Sequence, residues 1–136
     1  MNAFIVELKD QPGELARVAD AIATKGINIT AFAGVTCGGT NGTVAIVTND
    51  EAGTRKALAD AGCSTREVEL VNASLEHAPG TLAAAARKLA DAGVNIIAAL
   101  PTGMTGGSVS LAFATDQPAK ARQILGAPAT AGIGVG

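Results

Sequence analysis

Hydrophobic and polar positions alternate from Ala3 to Leu8, with Phe4, Val6 and Leu8 on one face and Ile5 and Glu7 on the other, the period of a strand. The period then lengthens. Leu15, Val18, Ala19 and Ile22 recur at helical spacing, while Glu14, Arg17, Asp20 and Lys25 fall off that stripe. Pro12 suits the first helical turn, where its missing N–H costs nothing, and Gly26 ends the helix as a residue tolerant of positive φ. A second strand is expected from Ile27 to Val35, with Ile27, Ile29 and Ala31 pointing one way and Asn28, Thr30 and Phe32 the other. Gly38-Gly39-Thr40-Asn41-Gly42 reads as a hairpin, leading into a third strand from Thr43 to Thr48. Asp50 can cap a helix carrying Ala57, Leu58 and Ala61 that ends near Gly62. The order is βαββα.

From Ser64 to His77 the pattern changes phase. Val68 and Leu70 share one parity; Val71, Ala73 and Leu75 share the other. Side chains in a strand have period two, so a flat strand buried on one face cannot do this. A bulge or kink is therefore expected near Leu70-Val71, with the first half closing one unit and the second half opening the next. A helix from Pro79 then carries Leu82, Ala86, Leu89 and Ala90. A strand from Val94 to Leu100 is broken by Pro101, and Gly103 to Gly107 makes a loose hairpin. Val109, Leu111 and Phe113 alternate in the next strand, and Asp116 caps a last helix with Ala121, Ile124 and Leu125. In the Ala- and Gly-rich tail, Ile133 and Val135 could form a short edge strand, although glycine weakens strands.

The returning order reflects an internal repeat with a spacing of 67 and no gap. Pro12, Gly13, Leu15, Ala16, Ala19, Ala23, Gly26, Asn28, Ile29 and Ala31 are identical to their counterparts from Pro79 to Ala98. Each copy is organised around a strand-to-helix loop, Asp10-Gln11-Pro12-Gly13-Glu14-Leu15 in the first and His77-Ala78-Pro79-Gly80-Thr81-Leu82 in the second. Each loop is followed by its own echo, Gly26-Ile27-Asn28-Ile29 and Gly93-Val94-Asn95-Ile96. The expected domains are 1–70 and 71–136, each a ferredoxin-like βαββαβ unit of an α+β protein, with antiparallel sheets and helices on one face.

Composition narrows the function. The chain has 136 residues, enough for one domain or two small ones sharing a core, and 48% are hydrophobic, which favours a packed protein over disorder. The net charge is −2, cationic residues are scattered and 2% of residues are aromatic, which argues against a nucleic-acid surface. No apolar run reaches the ~18 residues of a membrane span, and the N-terminus lacks a signal-peptide layout. Cys37 and Cys63 lack metal-ligand spacing and read as reduced cytoplasmic thiols. With one histidine and no nucleophile–base pair, paired acids or metal constellation, no enzyme and no cofactor is expected. Gly38 to Gly42 lacks the lysine and the strand–loop–helix setting of a phosphate loop.

At its Pro-Gly-x-Leu and Gly-[Ile/Val]-Asn-Ile motifs the sequence resembles the ACT domain, a small regulatory amino-acid-binding module. Asp10 to Leu15 is similar to that family's Asp-x-Pro-Gly-x-Leu, and the likeness covers nearly the whole chain, twice. It implies a free-standing tandem ACT protein. Such domains pair side by side, joining sheets, and hold ligand between the first loop of one and the second strand of a neighbour. Carried over residue by residue, this places a first ligand site at Asp10, Gln11, Pro12, Gly13, Glu14, Leu15, Asn28 and Thr30. A second falls at His77, Ala78, Pro79, Gly80, Thr81, Leu82, Asn95 and Ile97. Gly13 and Gly80 would let backbone approach the ligand, and the helix start offers unpaired N–H groups to a carboxylate. Asp10 or Asn28 would meet the ammonium.

Local structure explains several of the same residues. Aspartate favours turns and helix starts, and Asn28 and Asn95 can bond the turns after Gly26 and Gly93. In the second copy His77 replaces Asp10, Thr81 replaces Glu14 and Ile97 replaces Thr30, which weakens a polar clamp. Two functions are expected to compete. One is a non-enzymatic sensor, homodimeric in that family's manner, that binds a free amino acid and regulates a partner enzyme or transcription factor. The other is an interaction module whose ligand sites have degenerated.

Overall fold

The computed structural model describes residues 1–126, and the expected strand at Ile133 and Val135 lies outside them. Ten elements follow one another: β1 (Asn2–Lys9), α1 (Glu14–Ala23), β2 (Ile29–Thr36), β3 (Asn41–Thr48), α2 (Glu51–Asp60), β4 (Ser64–Glu76), α3 (Thr81–Asp91), β5 (Ile96–Thr105), β6 (Ser108–Thr115) and α4 (Pro118–Ile124). The six strands and four helices among the described residues make this an α+β protein. Contacts divide the chain into Asn2–Val68 and, together with Met1, the residues from Glu69 onward; the division falls within β4. No helix among the described residues is long and apolar enough to cross a membrane.

In the first unit β3 pairs antiparallel with β1 on one side and β2 on the other, so Phe4 lies beside Ile46 and Val6 beside Val44. The helical stripe of α1 presents Val18 and Ile22 to this surface, and α2 adds Leu58; with Ile27 they form the core. Asp50 caps α2 as expected, its side chain accepting from the Gly53 N–H at 2.9 Å. Buried Thr54 is satisfied by the Asp50 carbonyl and the Thr48 hydroxyl, both at 2.7 Å.

In the second unit β6 pairs antiparallel with β4 and β5, and Val71, Ala73, Leu89, Val94, Phe113 and Ala121 form the core. The expected break near Leu70-Val71 is absent. β4 is one continuous strand across these residues, and its pairing with β6 is unshifted from Leu70, opposite Ala114, and Val71, opposite Phe113, onward. The phase change is real, but Leu70 and Val71 are both buried, on opposite faces of one strand. A strand apolar on both faces needs no bulge.

Bulges occur instead one strand later in each unit, at Ile29/Ala31 in β2 and Ile96/Ala98 in β5. The extra residues, Thr30 and Ile97, reverse the alternation. Ile29 lies opposite Thr48 and packs on the core, yet beyond the bulge it is Phe32, opposite Ile46, that shares the helix-bearing face. Four further expectations change. Pro101 does not end β5, because on an outermost strand its missing N–H breaks no ladder bond. Asp116 does not cap α4; Gln117 holds that place, and the Asp116 carboxylate accepts from the Asn95 N–H at 2.9 Å. Pro12 precedes α1 rather than opening it, and Leu15 and Leu82 are exposed rather than core.

The Glu67 carboxylate receives two bonds from Arg55, at 2.7 and 2.9 Å, and one from the Asn2 amide at 2.9 Å. The Arg55 bonds, then the Asn2 bond, hold its pKa down to about 2 from an ordinary 4.5. A depressed carboxylate pKa stabilises the fold above the unfolded value and loses that contribution as pH falls through the folded one. A carboxyl-carbon NMR titration should therefore show a Glu67 midpoint of about 2. Arg55→Gln should return it toward the ordinary range, and an unmoved midpoint in that variant would refute the assignment to Arg55.

Candidate functional site

The loop between β1 and α1 is tied down by its own backbone. The Asp10 N–H donates to the Thr40 carbonyl at 2.8 Å, Gln11 to Lys9 at 3.0 Å and Glu14 to Gln11 at 3.4 Å. Gly13 takes φ 89°, a left-handed conformation that side chains resist, and no side chain caps the helix it starts. The second unit makes the same bonds 67 residues on: His77 to Gly107 at 2.6 Å, Ala78 to Glu76 at 2.9 Å and Thr81 to Ala78 at 3.4 Å, with Gly80 at φ 88°.

Beside the first loop lies an open cavity of about 190 Å³. Lys9, Asp10, Gln11 and Glu14 contribute its polar groups. Its apolar walls come from Leu8 and Val44 on the sheet, Leu15 on α1, and Phe32 and Val35 on β2. The two acids differ. Glu14 is bonded to Arg17 at 3.1 Å, and that bond, reinforced by the charge of Arg17 and by Lys9, holds its pKa below the ordinary carboxylate range. Exposed Asp10 accepts the Thr36 hydroxyl, at 2.9 Å on Oδ2, and its Oδ1 has no side-chain partner among the described residues. Of the two, Asp10 is the acid free to meet a cation.

Four of the expected residues thus meet at one cavity: Asp10, Gln11, Glu14 and Leu15. Pro12 and Gly13 shape the loop without lining the cavity. Asn28 and Thr30 stand at the far end of β2. Thr36, six residues beyond Thr30, is the β2 residue that touches Asp10, and at about 3.3 Å per residue that is a separation of ~20 Å. The Asn28 main chain is bound to Asn49 in both directions, at 3.0 and 3.1 Å, while Thr30 donates to the Val47 carbonyl at 3.3 Å. Sequence reasoning missed Lys9, Phe32, Gly34 and Val35. The available signal was an apolar Phe32 set among the small residues Ala31, Ala33 and Gly34.

The second unit differs where the cavity would be. The counterparts of Phe32 and Gly34 are Ala99 and Pro101. The Thr81 hydroxyl turns back onto the loop carbonyls of Glu76 and Ala78, at 2.8 and 3.1 Å. His77 and Leu82 are exposed, and the Asn95 main chain is bound to Asp116 as Asn28 is to Asn49. Ile97 is the bulge residue of β5. A separate cavity of about 270 Å³ lies along β4 and α3, with Glu76, Thr81 and Lys88 at its rim and Ala84 standing where the first unit has Arg17. Among the described residues, no three His, Cys, Asp or Glu side chains are grouped to hold a metal ion.

No protein-family model and no curated protein matches the chain. Solved structures do. Protein BT0572 from Bacteroides thetaiotaomicron is 21% identical, with 92% of this chain and 85% of that one aligned at a TM-score of 0.76. The regulatory subunit of aspartate kinase from Thermus thermophilus is 18% identical over 92% of this chain and 89% of its own, at 0.66. The corresponding subunit from Thermus flavus is 20% identical over 92% and 90%, at 0.62. The fold is that of ACT-domain proteins.

Proposed function

We propose that the protein is a non-enzymatic regulator made of two ACT-like ferredoxin-like domains, 1–70 and 71–136, acting as a cytoplasmic homodimer, and that its first domain binds a free amino acid. The observation that carries this is the cavity beside the β1–α1 loop, which is lined by residues of both charges, Lys9, Asp10 and Glu14, and by apolar Leu8, Leu15, Phe32 and Val44. A zwitterion with an apolar side chain matches that lining. Its carboxylate would meet Lys9 and the N–H groups that open α1 after Gly13, and its ammonium would meet Asp10. Its side chain would lie against Leu15 and Phe32.

The apolar lining by Leu8, Leu15, Phe32 and Val44 favours a ligand with a neutral aliphatic side chain. The likeness to regulatory subunits of aspartate kinase supports a regulatory role, with ligand binding read by a partner enzyme or regulator. Regulation requires that the ligand favour one state of the protein over another.

A thermal-shift screen against the twenty amino acids tests the reading. Free ligand at ~100 times its Kd adds ~2.7 kcal/mol to stability. One aliphatic amino acid should raise the melting temperature, and Asp10→Ala should abolish the rise while leaving the ligand-free melt intact. A flat screen at millimolar concentration would overturn the sensor in favour of a protein-interaction module. The second domain already favours that alternative for its own half, since Ala99, Pro101 and the inward-turned Thr81 leave its loop without the first domain's cavity walls.

A further inference from the structure

The second unit is hollow where the first is filled. Its cavity of about 270 Å³ lies between β4 and α3, with Leu125 at one side. Thr81, Ala84, Ala85 and Lys88 recur along α3 at the spacing of one helix face and line it together. In the first unit the same helix face is occupied by an ion pair. Glu14 binds Arg17 at 3.1 Å, and Arg17 reaches on to the Ala61 carbonyl at 3.2 Å. The ungapped spacing of 67 allows comparison position by position. Ala73 stands where the first unit has Val6, Thr81 where it has Glu14, Ala84 where it has Arg17 and Ala85 where it has Val18. All four residues are smaller than their counterparts, and all four line one space. Protein interiors are close-packed, and lost side-chain volume is destabilising unless something takes its place.

One position runs the other way. Lys88 stands where the first unit has the small Ala21, and it forms no ion pair among the described residues. Glu76 is the one acid of the lining, but it alternates with Leu75 and so turns its side chain to the opposite face of β4. The Thr81 hydroxyl is already spent on the carbonyls of Glu76 and Ala78. A single cation is left, beside an apolar floor of Ala73, Leu75, Ala85 and Leu125.

We infer that this cavity is a second binding site, and that it takes a small aliphatic monocarboxylate. The carboxylate pairs with Lys88. The aliphatic body lies over Ala73, Ala84 and Ala85, in the space that Arg17 and its neighbours fill in the first unit. Apolar walls with one placed polar group are what small-molecule sites are made of. A free amino acid fits poorly, because its ammonium would be desolvated with no carboxylate on that side of the cavity to meet it. The site shares only Thr81 with the loop from His77 to Leu82, and it does not rest on the amino-acid reading of the first domain.

Calorimetric titration of the full-length chain with isocaproate, which is leucine without its amino group, tests the site. One binding event is expected. Lys88→Gln keeps the hollow and removes the cation, so it should weaken binding by about tenfold or more. Thr81→Glu combined with Ala84→Arg puts back the ion pair of the first unit, and should abolish binding while keeping the melting temperature. If that double variant melts early, Lys88→Gln decides alone. Asp10→Ala, at the other cavity, should leave isocaproate binding unchanged. No binding at millimolar isocaproate, or binding by Lys88→Gln as tight as the parent's, would overturn the site. Loss of binding in Asp10→Ala would move the carboxylate to the first cavity and overturn it equally. Displacement of isocaproate by leucine would overturn the exclusion of an ammonium. Isocaproate binding alongside a flat amino-acid screen would uphold this site and remove the first-domain sensor.

Discussion

Phe113→Ala should destabilise the protein by about 3–5 kcal/mol, and Phe4→Ala by a similar amount. These are two of the chain's three phenylalanines, and both are at most 1% exposed at the centres of their units. Phe113 lies opposite Val71 on β4 and Ala99 on β5, beneath Leu89 and Ala121. Removing its ring leaves a cavity that a sheet locked by hydrogen bonds on both sides of β6 cannot close. Whole domains are stable by only about 5–15 kcal/mol, so either loss should be visible as a large fall in the urea midpoint. Phe32→Ala is the control. Its ring is exposed, and surface substitutions usually fall within ±0.5 kcal/mol, so the stability of the dissociated chain should barely change. A Phe32→Ala loss as large as that of Phe113→Ala would mean that β2 is not an open edge.

Gly53→Ala should also destabilise, by about 1–3 kcal/mol, against the usual rule. Glycine within a helix costs about 1 kcal/mol relative to alanine, so propensity alone says the change is favourable. Gly53 stands in the first turn of α2, directly over its cap. A Cβ there would overlap Asp50 Oδ2 and fall 2.8 Å from Ile27 Cδ1. Asp50 cannot yield without giving up the bond to the Gly53 N–H, a cap worth about 0.5–2 kcal/mol. Ile27 is 8% exposed within the first core and has little room to retreat. Overpacking of this kind costs about 1–3 kcal/mol. Thermal and urea unfolding of the variant would decide it, and a stabilised Gly53→Ala would show that cap and core both give way freely.

Much of the fold was legible because the signals were local. The repeat, the two strand-to-helix loops, the Asp50 cap and the stripe of Val18 and Ile22 each follow from spacing. What failed involved a residue's partner across the sheet. Nothing in Thr30 or Ile97 marks a bulge, because the extra residue is defined by the strand opposite. Asp116 looked like a cap because aspartate caps helices, but the neighbouring Asn95 N–H claims it. Pro101 looked like a terminator because its tolerance depends on having no neighbour on one side. The candidate site divides the same way. Asp10, Gln11, Glu14 and Leu15 were readable from the loop motif, whereas Phe32 and Gly34 reached the cavity only because the bulge reversed the phase of β2.

That reversal bears on how such a chain can change over time. Strands usually tolerate loss of a single codon badly, since every later side chain swaps faces. In β2 the swap is already built in, so loss of the codon for Thr30 would restore plain alternation. Ala31 and Phe32 would keep Val47 and Ile46 as partners, so Phe32 and Gly34 would still face the helices and Ala31, Ala33 and Val35 would still face away. The cavity would keep its aromatic wall. Gain or loss of this one codon is thus absorbed by a single residue of the edge and leaves every other side chain on its own face, a tolerance that an unbulged strand does not offer.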